Sequence, residues 1–239
     1  MAIKTMGSLK CLPLILFTCI KSSTFVFKNK QRMLAADDIS IQFGHECVLN
    51  HFSCHIRRGD FACITGVSGC GKTSLLRAFI GLTPLVGGTV RVGECVLNEK
   101  TCASVRRRTM YLPQELSFPS ETVNELVTQT LRIGRVKNVQ ISTPLLRDNF
   151  AKLGLDEELL LKRLSEISGG QRQRVMLATL ALLDKDIWLL DEPTAALDEL
   201  SRNYVIDFLL EQQQRGKTIV AVSHDMHFAS HCSTIIPLD

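Results

Sequence analysis

One stretch of the sequence decides the fold: Gly66-Val67-Ser68-Gly69-Cys70-Gly71-Lys72-Thr73, with Ser74 directly after it. It matches the pattern G-x-x-x-x-G-K-[ST], and it joins the apolar run 61–65 to a predicted helix at 74–80. Glycines let such a loop approach phosphate groups, and the N-terminus of the helix supplies positive potential. We therefore predict that residues 66–74 bind a nucleotide, with Lys72 on its phosphates and the Thr73 hydroxyl on Mg²⁺. The alternative is a tight turn that binds no ligand.

A second apolar run ends in two adjacent carboxylates. Residues 187–190 predict a buried strand, and Asp191 and Glu192 follow it directly. Because ligands bind at the carboxyl edge of parallel sheets, we expect both side chains near the phosphate loop. Asp191 is then a Mg²⁺ ligand, and Glu192 is the general base that polarises the attacking water. Without the loop, the same pattern would also fit a solvated strand end.

Strand and helix patterns alternate along most of the chain. Buried strands are predicted at 61–65, 109–112, 187–190 and 218–222, and further helices at 169–183 and 201–214. This alternation is typical of an α/β fold with a doubly wound, mostly parallel sheet. Alternating patterns predict an antiparallel β subdomain from residues 39–43, 55–56 and 89–97. Periodic apolar residues from about 115 to 170 predict an inserted helical lobe.

A third segment, Ser168-Gly169-Gly170-Gln171, opens the predicted helix at 169–183. A serine cap with free backbone N–H groups forms a second phosphate site on the same chain. The segment resembles the signature of ABC ATPases, which usually begins Leu-Ser-Gly-Gly-Gln. Ile167 replaces that leucine, and Thr179 stands where many members of the family have arginine. The alternative is an ordinary serine-capped helix.

Four further residues resemble landmarks of the ABC family in their usual order. Phe43 matches the aromatic residue that stacks on adenine, and Gln114 matches the loop glutamine near Mg²⁺ and the transmembrane partner. Asp198 matches a loop that crosses the dimer interface, and His224 matches the switch histidine that contacts the γ-phosphate. A structural alternative remains open for each of them. Phe43 could be a strand core residue and Gln114 a polar residue at a strand end. Asp198 could be a helix N-cap and His224 a buried structural histidine.

This resemblance implies a P-loop NTPase core and a complete set of functional residues. The catalytic residues are then Lys72, Gln114, Glu192 and His224, and the Mg²⁺ ligands are Thr73, Gln114 and Asp191. Two subunits would form a head-to-tail homodimer. Each ATP would lie between residues 66–73 of one subunit and residues 168–171 of the other.

The charge of the chain gives no support for nucleic-acid binding. The formal net charge is +4, but the first 33 residues carry six basic residues and no acidic one. The rest contains 22 basic and 24 acidic residues, a net charge of −2. The positive charge therefore belongs to the leader and not to the domain, so we expect no nucleic-acid partner.

The first 32 residues are expected to form a leader outside the ATPase domain, which spans residues 33–239. An apolar run at 11–20 follows two lysines and resembles the core of a secretory signal. Export would separate the domain from cytosolic ATP, so translation from Met33 is the preferred interpretation. A short membrane-surface anchor and a targeting peptide remain alternatives. The nine cysteines include no C-x-x-C pair, which favours reduced thiols in the cytoplasm.

The resemblance implies an ATP-hydrolysing subunit that powers an ABC membrane transporter. No apolar run is long enough to span a bilayer, so a transmembrane permease subunit is the expected partner. In this family the helical lobe and the Gln114 loop contact that permease. The expected location is cytoplasmic, on the cytoplasmic face of the inner (plasma) membrane. One alternative function is mechanical signalling to a membrane partner that transports nothing. Another is that of a nucleic-acid-associated ABC ATPase.

Overall fold

The computed structural model describes residues 32–115, 120–134, 144–195 and 197–238. All but the last residue of the predicted leader 1–32 lie outside these ranges. The strands are β1 (Arg32–Phe43), β2 (Glu46–Arg57), β3 (Phe61–Gly66), β4 (Gly87–Val92), β5 (Cys95–Val96), β6 (Thr109–Leu112), β7 (Ile187–Asp191), β8 (Thr218–Val222) and β9 (Thr234–Leu238). The helices are α1 (Lys72–Ala78), α2 (Glu99–Arg108), α3 (Val123–Ile133), α4 (Pro144–Lys152), α5 (Gly169–Ala181), α6 (Glu199–Gln214) and α7 (Met226–Ser230).

Two sheets divide the strands between them. The larger sheet is parallel, with the order β6-β7-β8-β3-β9, and the smaller is antiparallel, with the order β2-β1-β4-β5. Every residue of β7 and β8 is buried, because both faces of the parallel sheet are covered. The predicted α/β fold, with its mostly parallel sheet and antiparallel β subdomain, is confirmed.

The parallel sheet separates two hydrophobic cores. Successive residues of a strand point to opposite faces, so Trp188 and Leu190 pack into one core while Ile187 and Leu189 pack into the other. The first core also contains the apolar faces of α3, α4, α5 and α6. The second contains α1 and the buried face of the antiparallel sheet. Helix α1, which begins in the phosphate loop, is thereby held on one face, and α5 is held on the other.

Helices occupy the described part of the predicted lobe at 115–170. They are α3, α4 and two short 3₁₀ turns at Glu157–Leu161 and Leu164–Glu166. Helix α3 begins with a capping box, because the Thr122 hydroxyl accepts from the backbone N–H of Glu125. Among the described residues, no helix is both long and apolar enough to cross a bilayer.

Three elements lie outside the sequence-based prediction, one of them the short helix α7, and β1 and β2 are longer than the predicted segments 39–43 and 55–56. Residues 99–108 form α2, although they were not predicted as a helix, and the charged run 106–108 is its last turn. Only Val105 of this helix is buried, so apolar periodicity gives almost no signal. Strand β9 was also not predicted, and it pairs with β3 at the edge of the parallel sheet.

Candidate nucleotide-binding and catalytic site

The phosphate loop runs from the end of β3 to the start of α1. Gly66, Gly69 and Gly71 have φ angles of 153°, 85° and 98°, which L side chains rarely adopt. A Cβ on Gly66 would lie 2.1 Å from the backbone oxygen of Leu238 in β9. A Cβ on Gly71 would lie 2.6 Å from Val48. These glycines are therefore required by the chain path as well as by close approach to a ligand.

The Lys72 side chain is buried inside the loop. Its Nζ donates hydrogen bonds to the backbone oxygens of Gly66, at 2.9 Å, and Val67, at 2.7 Å. The sulfur of Cys70 lies 4.0 Å from the same nitrogen. The ammonium group is thus placed within the curve of the loop, where a phosphate group would meet it.

Asp191 lies at the carboxyl end of β7 and is fully buried. Its Oδ1 accepts from the Thr73 hydroxyl at 2.9 Å, and its Oδ2 accepts from the Tyr111 hydroxyl at 3.4 Å. Tyr111 accepts in turn from Nε of Arg77 at 3.0 Å. Burial raises the pKa of Asp191 above its ordinary value of 3.8, and the hydrogen bond from Thr73 partly opposes this shift.

Glu192 has an unusual backbone conformation and a partly unpaired carboxylate. Its φ is 52°, in the left-handed region that side chains seldom occupy. Its Oε1 lies 3.0 Å from Nδ1 of His224, whose ring is mostly exposed. Its Oε2 is buried and has no hydrogen-bond partner among the described residues. One oxygen of this carboxylate therefore remains available as an acceptor.

A cavity of about 300 Å³ brings together part of the predicted site, although Asp191 and His224 are not in its lining. Its lining comprises Val48, Ser68, Gly69, Gly71, Lys72, Thr73, Ser74, Gln114, Glu192 and Val222. Phe43 lies outside this lining, half-exposed at the end of β1. Residues 168–171 also lie outside it. One copy of the chain thus assembles the phosphate loop, the loop glutamine and the Glu192 carboxylate, but not the predicted signature segment.

The signature segment and Asp198 both form helix N-caps. The Ser168 hydroxyl accepts from the backbone N–H of Gln171 at 3.1 Å, and the Gln171 side chain accepts from the backbone N–H of Ser168 at 3.0 Å. Gly169 and Gly170, which have no side chains, are the first two residues of α5. Asp198 accepts from the backbone N–H of Ser201 at 2.7 Å, so the N-cap alternative is observed for this residue.

The residues around Asp191 fit a divalent cation that prefers oxygen ligands. The Thr73 hydroxyl and the Asp191 carboxylate are in contact, and the amide of Gln114 lines the same cavity. Hydroxyl, carboxylate and amide oxygens are the ligands that Mg²⁺ accepts, usually together with waters and substrate phosphates. The donor set is therefore compatible with the predicted Mg²⁺ site.

Three side chains near the site were not predicted to have a role. Tyr111 and Arg77 bond to one another beside Asp191, and Gln173 donates to the backbone oxygen of Glu192 at 2.7 Å. The buried strand at 109–112 and the helix after the phosphate loop placed Tyr111 and Arg77 close to the site. For Gln173 no local sequence pattern gives this contact.

Comparisons with known proteins agree with this geometry. The profile of the ABC transporter family matches residues 49–195. The phosphonates import ATP-binding protein PhnC of Trichormus variabilis is 36% identical over 194 residues, which cover 77% of this chain and 78% of that protein. The L-cystine import ATP-binding protein TcyN of Bacillus subtilis is 34% identical over 207 residues, which cover 84% and 80%.

A solved structure shares the same fold. It is the dimeric, post-hydrolysis state of the ATP-binding cassette MJ0796 bound to ADP and Pi. The TM-score is 0.75 at 26% sequence identity, and the match covers 87% of this chain and 94% of that one. The family profile spans more than half of this chain, from β2 to the turn after Glu192. The chain therefore belongs to the ABC transporter family, as an ATP-binding subunit that hydrolyses ATP.

Proposed function

We propose that two copies of this chain bind two ATP molecules between them and power a membrane permease. Each ATP lies between residues 66–74 of one copy and residues 168–171 of the other. The observation that carries this proposal is the incomplete cavity: it contains the phosphate loop and Glu192, but none of the signature segment. A serine-capped helix N-terminus is suited to the phosphates of a nucleotide bound to a second copy.

Each residue of the cavity then has a defined task. Lys72 and the backbone N–H groups of the loop bind the phosphates, and Phe43 stacks on the adenine. Thr73, Gln114 and Asp191 would hold Mg²⁺, which would supply positive charge beside the phosphates. The contact between Thr73 and Asp191 supports this assignment, because it places two oxygen ligands side by side.

Glu192 acts as the general base on the attacking water. Its carboxylate lines the cavity and is the acceptor for the water proton, and Oε2 is not engaged in a hydrogen bond with any described residue. Its Oε1 contacts Nδ1 of His224, which leaves the exposed side of the ring free to meet the γ-phosphate. Asp198, exposed at the start of α6, contributes to the interface with the second copy.

The permease binds in a groove beside the helical lobe. This basic groove, with a volume of about 600 Å³, is lined by α2, β6, α3 and α5. Its floor is apolar and includes Met176 and Leu180, and its lining carries the cations Arg106, Arg107 and Lys185. A permease segment with apolar and acidic side chains is complementary to such a surface. Bound to this permease, the chain would lie on the cytoplasmic face of the membrane, and the import proteins among its relatives support import as the direction.

The test is reconstitution with the permease. The full chain, tagged and isolated from its native membrane, is expected to bring a multi-span membrane protein with it. In vesicles this complex should accumulate an external solute only with ATP enclosed in the lumen, on the side of the ATPase subunits, and Glu192→Gln should abolish the accumulation. Charge reversal at Arg107 and Lys185 should release the permease while ATP binding persists. A complex that hydrolyses ATP without moving any solute would contradict transport.

A further inference from the structure

Gln173 connects the helix that carries the signature segment to the main chain of Glu192. It lies in the first turns of α5, two residues after Gln171, and its side chain is 7% exposed. Its Nε2 donates to the backbone oxygen of Glu192 over 2.7 Å. A buried amide that donates to a main-chain carbonyl fixes that carbonyl in direction as well as in distance.

The backbone of Glu192 needs such restraint. A residue other than glycine at φ 52° is in a sparsely populated region and remains there only when its surroundings hold it. The backbone N–H of Glu192 donates to the Val222 oxygen at 3.0 Å, and its oxygen also accepts from the N–H of Ala195 at 3.2 Å. Among the described residues, Gln173 is the one whose side chain bonds to the backbone of Glu192. At 2.7 Å this hydrogen bond is shorter than the two backbone–backbone bonds of Glu192.

We infer that Gln173 is a positioning residue for the general base. It holds the Glu192 main chain in its left-handed conformation and thereby aims the carboxylate into the cavity. The inference rests on the role proposed for Glu192. Without the Nε2 donor, the Glu192 backbone can relax toward a more populated φ, and the carboxylate then turns away from the water.

The same bond links the two ATP sites of the proposed dimer. Residues 168–171 contact the ATP held by the partner, and Gln173 follows them on the same rigid helix. A small displacement of α5 at its N-terminus therefore reaches the Glu192 peptide through one hydrogen bond. The Glu192 carboxylate of one site is thus correctly placed only when α5 is in the position that brings residues 168–171 against the partner's ATP.

Gln173→Met tests the inference, because methionine has a similar volume but no donor. Single-turnover hydrolysis of Mg-ATP should slow by about tenfold or more, since a small displacement of a catalytic group is costly. ATP affinity should stay within about twofold, because Gln173 lies outside the lining of the cavity. A fall in affinity that accounts for the whole loss of rate would overturn the inference.

Asn149→Leu is the matched control. Asn149 is 3% exposed, and its Nδ2 donates at 3.0 Å to the backbone oxygen of Ala178, also on α5. This substitution removes a comparable buried amide bond from the same helix without touching Glu192. We expect a similar loss of thermal stability and a hydrolysis rate within about twofold of wild type. An equal loss of rate in both variants would show that Gln173 only stabilises α5.

A double variant separates positioning from general structure. In a Glu192→Gln chain the base is already absent, so adding Gln173→Met should change residual hydrolysis by less than about twofold. The same rate loss in both backgrounds would refute positioning. If Glu192→Gln alone hydrolyses ATP normally, the proposed base is wrong. If Glu192→Gln hydrolyses ATP slowly while Gln173→Met hydrolyses it at the wild-type rate, Glu192 remains the proposed base and only the role inferred for Gln173 fails.

A second substitution covers the case in which Gln173→Met does not fold. Gln173→Leu shortens the side chain and likewise has no donor for the Glu192 oxygen. The same thresholds for rate and affinity apply to it. Normal hydrolysis by a folded Gln173→Leu chain would overturn the inference.

Discussion

The Thr73 hydroxyl donates a 2.9 Å hydrogen bond to Oδ1 of Asp191. It joins the first turn of α1 to the end of β7, two elements that lie 118 residues apart in the chain. The bond requires the register of the parallel sheet and the path of the phosphate loop to be correct together. It therefore makes the proposed Mg²⁺ site a product of the whole fold.

Thr73→Val should weaken Mg²⁺ binding with little effect on the fold. Valine keeps the shape of the side chain and removes the oxygen ligand. The Mg²⁺ concentration for half-maximal hydrolysis is expected to rise by about tenfold, the cost of one lost ligand interaction of about 1.4 kcal/mol. A Mg²⁺ titration of the hydrolysis rate measures this, and ATP binding in EDTA should be unchanged.

Thr179→Val is the control for this substitution. The Thr179 hydroxyl is buried and donates to the backbone oxygen of Val175 within α5, away from the cavity. Removal of this local bond should leave the Mg²⁺ requirement as it is in wild type. Equal shifts in the two variants would mean that Thr73 is not a metal ligand.

Asp191→Asn should stabilise the protein at neutral pH when Mg²⁺ is absent. Burial raises the pKa of Asp191, so the folded state holds this proton more tightly than the unfolded chain does. Ionisation therefore costs stability as the pH rises above the ordinary value of 3.8. Urea unfolding in EDTA should give a gain for Asp191→Asn at pH 7.5 that disappears near pH 3, about one unit below the ordinary value.

Asp198→Asn should behave in the opposite way. The bond from the backbone N–H of Ser201 lowers the pKa of Asp198, so its ionised form is favoured in the folded state. Neutral asparagine should then reduce stability slightly at pH 7.5, with no difference at low pH. If Asp198→Asn raised the free energy of unfolding at pH 7.5 as much as Asp191→Asn does, burial of Asp191 would not be the cause of its gain.

Glu192→Gln should retain ATP and lose hydrolysis. The amide keeps the contact with His224 but is not a base, so the single-turnover rate should fall by about 100-fold or more. Size-exclusion chromatography with ATP should then detect a stable dimer. Glu158→Gln, an exposed change in the helical lobe, should hydrolyse ATP normally. Near-normal turnover by Glu192→Gln would exclude this carboxylate as the base.

Mixing two inactive chains should restore activity if each site is shared between subunits. Lys72→Ala removes the phosphate ligand, and Ser168→Asp keeps an N-cap for α5 but places a negative charge against the partner's ATP. Each chain alone has two defective sites. A mixed dimer has one intact site, so an equal mixture should recover up to about a quarter of wild-type turnover. No recovery despite proven mixed dimers would argue against the head-to-tail arrangement.

Alkylation of Cys70 should block ATP binding. Its sulfur lies 4.0 Å from Nζ of Lys72, so a bulky adduct occupies the space of the phosphates. Bound ATP should slow the reaction, and Cys70→Ala should bind ATP after the same treatment, although Cys47 remains exposed. Mass spectrometry confirms the adduct. Full ATP affinity after complete modification of Cys70 would refute this prediction.

The sequence predicted best the elements whose signal is local. The strands at 109–112 and 218–222 have the predicted bounds. All residues of 218–222 are buried, as in a strand covered on both faces, whereas β6 at the sheet edge alternates between buried and half-buried residues. Helix α2 has one buried residue, so apolar periodicity does not mark it. Its capping box joins Asn98 to Thr101, whereas the usual sequence signature has Glu or Gln in the second position, so this signal does not mark α2 either.

Contacts made by tertiary packing were beyond the sequence. The residue types of Asp191 and Glu192 predicted their chemistry, but not the left-handed backbone of Glu192. Nor could the sequence place the Tyr111 hydroxyl on Asp191 or the Gln173 amide on Glu192, because each pair joins distant segments. The motifs gave the reacting groups, and the packing of α5 and β6 supplied the groups that hold them.

The contact between Gly66 and Leu238 matters for anyone who engineers this chain. The backbone of strand β9 packs directly against Gly66 at the start of the phosphate loop, although no residue of β9 lines the cavity. A fusion partner or a deletion that disturbs residues 234–238 would therefore damage nucleotide binding at a distance. Affinity handles and reporter fusions should reach β9 through a flexible spacer, and loss of ATP binding in a truncated clone should not be read as damage to the loop itself.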